Sequence, residues 1–151
     1  RNGSHNLIVG EGHGFASYGG FLAGYGNLAS APNASVTGGT GNEAAGIGAV
    51  VCGGGSNRAA QDNSCVNGGL DNHAEGLFAS VTGGHSNHAE GSYASVNGGE
   101  ANRAFGESSV LLGGAGNQTH PKYSGIFAGL DANLSAGGKC QVGGTIIPQR
   151  P

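Results

Sequence analysis

The chain has 151 residues, a net charge of −3 and 34 glycines, with 36% hydrophobic and only 10% charged residues, so glycine runs at about three times its ordinary usage. Six Lys and Arg in total cannot build the basic face that neutralises phosphates, which excludes nucleic-acid binding. Disorder goes with low hydrophobicity and high net charge, which this chain lacks, and no apolar run approaches the roughly 20 residues that span a bilayer, so a glycine-punctuated repeat without direct membrane insertion is expected.

The opening phrase, NLIVGEGHGFASYGGFLAG from Asn6 to Gly24, is more apolar and aromatic than the rest of the chain, and NLIVG lies 14 residues before GFLAG. Residues 1–24 therefore read as an N-terminal capping coil, since a first coil lacks a neighbour on one side. No methionine is present and no charged leader precedes an apolar segment, so Arg1 reads as the start of a fragment or a processed product.

From 20 to 144 the sequence repeats with a period of 15: SVTGG at 35, VVCGG at 50, CVNGG at 65, SVTGG at 80, SVNGG at 95 and VLLGG at 110. One column holds Val36, Val51, Val66, Val81 and Val96, with Phe21 at its head and Leu111 and Ile126 at its end. A second holds Gly39, Gly54, Gly69, Gly84 and Gly99, continuing to Gly144, and a third holds Asn42, Asn57, Asn72, Asn87 and Asn102. Alanine recurs at Ala44, Ala59, Ala74, Ala89 and Ala104, and the unit is S-V-x-G-G-x-x-N-x-A-x-G-x-x-A.

No helix suits this unit, because each interior glycine costs about 1 kcal/mol and no apolar stripe recurs at 3.6 spacing. Short strands can carry it, with equivalent residues stacked about 4.8 Å apart. The expectation is an all-β parallel solenoid, or β-roll, of 15-residue coils, each with two short strands and two turns. Valine would face inward from one strand and alanine from the other. The glycines suit positive φ or close approach of coils, and stacked asparagines would satisfy turn backbone and one another. So narrow a coil gains only a fraction of the roughly 1.5–3 kcal/mol that a large buried side chain contributes, so association of several copies around an axis is expected to cover one face.

Residues 145–151 leave the repeat, and Pro148 and Pro151 cannot donate to a ladder. This tail is expected to run along the assembly or into a following segment. Cys52, Cys65 and Cys140 are odd in number and lack CxxC spacing, which argues against a zinc or thioredoxin-like motif. Small part-buried thiols are the main reading, a disulfide the alternative.

SVTGGTGNEAAG, SVTGGHSNHAEG and SVNGGEANRAFG resemble the head repeats of trimeric autotransporter adhesins, the YadA-like heads, whose pattern is S-V-A-I-G-x-x-S-x-A-x-G-x-x. Val36, Gly39, Ala44 and Gly46 match its V, G, A and G, as do Val81, Gly84, Ala89 and Gly91, and Val96, Gly99, Ala104 and Gly106; the likeness runs from about position 5 to 144. It implies a left-handed parallel β-roll, a homotrimer, and an extracellular, cell-surface adhesion module with no catalytic centre. Two departures stand out: a period of 15 in place of 14, and glycine at 38, 53, 68, 83, 98 and 113 where the family has a second apolar residue.

The phrase NHAEG occurs at 72–76 and again at 87–91. It places His73 and His88 in one outward column with Glu43, Arg58, Arg103 and Gln118, and Glu75 and Glu90 in the next. Two histidines and two glutamates suit a zinc or nickel ion, yet stacking brings them together without any functional requirement. With Arg58 and Arg103 bracketing the column, the preferred reading is salt-linked surface charge. No cofactor is called for, and no serine sits in a G-x-S-x-G elbow, so an enzyme is not expected. Contacts to a protein or glycan surface are expected from Arg58, His73, His88, Tyr93 and Arg103, presented in multiple copies. The competing reading is a self-assembling filament or tail-fibre protein without a specific ligand.

Overall fold

The computed structural model describes residues 4–135, 139–143 and 145–148. The chain winds as a parallel β-solenoid whose coils stack into two sheets, one of 11 strands and one of nine, and among the described residues there is no helix. In the coil from Ser80 to Ala94, Ser80–Val81 lies in the first sheet and His88–Ala89 in the second. Between them His85 makes single parallel bridges to Leu70 below and Glu100 above. The coil thus has a third pairing ladder beyond the two strands expected from the repeat, running from Tyr25 to Leu130.

The coils from Ser35 to Ala94 each turn on three residues of positive φ, here Gly84 (89°), Ser86 (54°) and Tyr93 (59°). The first of these is always glycine for a steric reason as well. A Cβ on Gly84 would collide with the Gly99 carbonyl oxygen and lie 2.6 Å from the Asn87 amide nitrogen. The preceding glycine is different, since a Cβ on Gly83 would meet nothing within 4 Å. Of the pairs from 38/39 to 83/84 only the second glycine is sterically required, whereas Gly98 (151°) and Gly113 (158°) have positive φ of their own.

Inside, Val36, Val51, Val66, Val81 and Val96 from the first sheet and Ala44, Ala59, Ala74, Ala89 and Ala104 from the second are fully buried. The head of the valine column differs from the sequence expectation: Leu22 pairs with Val36 and is fully buried, whereas Phe21 pairs with Ser35 on the outward side. Ala29 follows Leu22 by 7 positions and Ala44 follows Val36 by 8. The early coil lacks the first glycine of the pair, so a 15-residue count across it slips one residue, and one residue exchanges the faces of a strand.

The asparagine column is buried and works in one direction. Asn87 Nδ2 donates to the Gly83 carbonyl of its own coil and the Gly99 carbonyl of the next, both at 2.9 Å, while its Oδ1 accepts from Asn102 N at 3.1 Å. The amides therefore clamp backbone to backbone; amide-to-amide bonds occur at Asn102 to Asn87 and Asn117 to Asn102. At the N-terminal end His13 takes the place of asparagine. Its Nδ1 accepts from Asn27 N (3.2 Å) and its Nε2 meets the Val9 carbonyl (3.2 Å), which assigns the proton to Nε2. At the other end Asn117 Oδ1 accepts from Ala132 N, and alanine closes the column.

Leu7–Glu11 pairs in parallel with Phe21–Tyr25 at the N-terminal edge, in the 14-residue register seen in the sequence. At the C-terminal edge the chain reverses: Thr145–Pro148 returns antiparallel along Lys139–Val142. The tail expectation is thereby corrected for 145–148, because this segment closes the first sheet as a hairpin instead of leaving it. Gly144 and residues 149–151 lie outside the described residues, as do Arg1, Asn2, Gly3 and 136–138. Among the described residues no helix is long and apolar enough to cross a membrane.

Candidate functional site

The strands alternate, so fixing valine and alanine inward fixes what faces outward. The first sheet shows Ser35, Val50, Cys65, Ser80, Ser95 and Val110 in one outward column and Thr37, Cys52, Asn67, Thr82, Asn97 and Leu112 in the next. Neither column contains a charge. The second sheet shows Glu43, Arg58, His73, His88, Arg103 and Gln118, paired rung by rung, with Glu75 and Glu90 two residues further along.

The NHAEG repeats meet here. His73 and His88 stack with ring centroids 4.7 Å apart, and one ligand atom from each of His73, Glu75 and His88 lies within 4.8 Å of the others. His73 is held between two acids, its Nδ1 at 3.4 Å from Glu75 and its Nε2 at 3.4 Å from Asp71. All three members of the cluster are half-buried. Burial pushes the His88 pKa down, and His73 and Arg103 push it further, against the pull of Glu75 and Asp71. Glu90 moves the other way, raised by burial and then by the Glu75 charge, with Arg103 and His120 opposing.

The salt-linked surface that the sequence suggests is present at Arg58 and Glu43 and does not extend to Arg103. Arg58 turns away from the histidines to bond Glu43 at 3.0 Å. Among the described residues, neither Glu75 nor Glu90 has a lysine or arginine within 4.0 Å, and Arg103 forms no ion pair at that distance. Side-chain rotamers decide which neighbour a charged residue chooses, and a column of letters carries no rotamers.

Tyr93 sits elsewhere, at the third corner of its coil, where it stacks on Phe78 with centroids 5.2 Å apart and planes 2° from parallel. Both rings are half exposed or more, and both residues have left-handed backbone, φ 56° and 59°. Bulky side chains rarely occupy that region, and strained positions of this kind collect at functional surfaces. Phe78 is an exposed ring that the sequence reading does not single out, although it precedes Tyr93 by one period.

All three cysteines are free. Cys52 and Cys65 share Asn67 Oδ1 as acceptor, at 3.8 and 3.1 Å, and burial followed by the neighbouring Cys52 raises the Cys65 thiol pKa. A shallow groove of 400 Å³ opens where Gly125 interrupts the first outward column, between Val110 and Cys140 and beside Tyr123 and Phe127. A missing side chain in a regular column is the signal that would have found it. Neither a protein-family model nor any curated protein sequence matches the chain.

Proposed function

We propose that this chain is an extracellular adhesion or binding module of a trimeric surface adhesin or fibre, its coils wound left-handed as in the YadA-like heads it resembles. The observation that carries the reading is the contrast between uniform inner columns and varied outer ones. A backbone clamped at every coil holds different side chains in fixed places, which is what a display scaffold requires. The role is attachment, not catalysis. The outer face of the first sheet, uncharged from Ser35 to Leu112, turns toward the partner copies, and the varied charges of the second sheet and the aromatic corner face outward. Three copies then present each contact three times, and weak contacts sum through effective concentration.

Light scattering of the purified chain tests the assembly: a mass of three times 14.6 kDa is expected, and a single-chain mass overturns it. The attachment itself is read by retention on protein- and glycan-coated surfaces, with loss expected for Tyr93→Ala combined with Phe78→Ala.

A second reading, an end-to-end filament, is favoured by one feature. The edge strand Leu7–Glu11 leaves Leu7 59% and Val9 55% exposed, and an open apolar edge templates pairing with another chain. Long fibres in negative-stain images, in place of discrete particles, would select it.

A further inference from the structure

We propose that His73, His88 and Glu75 form a binding site for a divalent transition-metal ion of the zinc or nickel type. Two imidazole nitrogens and a carboxylate oxygen are the donor set such ions take, whereas calcium and magnesium prefer oxygen alone. The three donors come from adjacent coils whose backbones are already in register, His73 opposite His88, so the site is set on paired strands and not on a loop. Ligand atoms within 4.8 Å of one another need only small rotations to reach the separation of about 3.3 Å that metal–ligand bonds of about 2.0–2.1 Å imply. Three protein ligands leave a fourth position for water.

Two further features support the assignment. Asp71 lies 3.4 Å from Nε2 of His73 while Glu75 lies at the same distance from Nδ1, so one nitrogen binds the metal while the other is oriented by a carboxylate. Among the described residues neither Glu75 nor Glu90 has a lysine or arginine within 4.0 Å, Arg58 being engaged by Glu43. The opposing influence is Arg103, which stands one rung beyond His88 and must swing outward on binding.

Calorimetric titration of zinc chloride, and separately nickel chloride, into the full chain tests this. One ion per chain is expected, with affinity at least about tenfold weaker in Glu75→Gln and binding lost in His88→Ala. His85→Ala, in the third ladder beside Glu100, leaves binding unchanged. Imidazole NMR signals provide a readout that needs no variant: zinc shifts those of His73 and His88 and leaves His5, His13, His85 and His120 in place. Absence of heat in the unaltered chain, binding that survives His88→Ala, or zinc-induced shifts confined to the other four histidines would each overturn the proposal.

Discussion

The two sheets of the solenoid are built alike on the inside and unlike on the outside. Each packs one column of small apolar side chains against the other, each pairs coil to coil in parallel, and the asparagine column lies between them. Outward, the first sheet from Ser35 to Leu112 carries hydroxyls, thiols, amides and aliphatic groups, while the second carries glutamate, arginine and histidine on successive rungs. The difference teaches that the repeat constrains only what a coil needs in order to stack. Free positions have taken one chemistry on one face and another on the opposite face, which is why the first is assigned to partner copies and the second to other contacts.

The largest expected effect removes both faces together. Gly84→Ala puts a methyl group into the Gly99 carbonyl at a φ of 89° and should destabilise the fold by about 4 kcal/mol or more, a loss of the size reserved for core and backbone conflicts. Gly83→Ala, one residue earlier and with open space around its Cβ, should change stability by less than about 1 kcal/mol. Denaturant melts of the pair decide whether the first or the second glycine is the structural one. Asn87→Ala comes next, at about 3 kcal/mol, because the Gly83 carbonyl and Asn102 N lose their partner and the Gly99 carbonyl keeps only His85 N.

Adding the same charge to each face sharpens the comparison directly. Ser95→Glu on the first sheet should reduce the solution mass from three chains to one, whereas Gln118→Glu on the second should leave it unchanged, both read by light scattering. If Gln118→Glu dissociates the assembly and Ser95→Glu does not, the faces have been assigned the wrong way round. Within the first face, in the dissociated Ser95→Glu chain, iodoacetamide at neutral pH should label exposed Cys52 well before Cys65, whose thiol is half-buried and held up in pKa; peptide mass spectrometry gives the ratio.

Smaller effects come from the corner and the charged face. Tyr93→Asn relieves a left-handed tyrosine at a position where Asn33 and Asn63 occur in other coils, and should raise stability by up to about 1 kcal/mol while abolishing the stack with Phe78. Arg58→Ala removes an exposed pair with Glu43 and should cost less than about 0.5 kcal/mol in a thermal melt.

The interior is legible in the sequence because stacking tolerates so little variation. Val81, Asn87 and Ala89 each repeat at 15, and the letters alone name their columns. Legibility fails where a coil departs from that count or where partners are chosen in space. Leu22 is hidden behind Phe21 because the early coil omits one glycine, and His13 is hidden because an imidazole does there what an amide does elsewhere. The return of Thr145–Pro148 has no copy in the repeat to announce it. On the second face, the juxtaposition of His73 with His88 follows from register, but the turn of Arg58 toward Glu43 does not.

The asparagine clamp also sets how this molecule can change size. Each asparagine grips the coil after it, so every joint from Asn42 to Asn87 repeats one pattern, and a coil removed or duplicated there leaves its neighbours meeting identical backbone partners. Length then varies in quanta of about 4.8 Å, one per coil, with the two end structures untouched. A gene encoding such a rod can lengthen or shorten its reach by unequal recombination between its own repeats, without new folding information at each step.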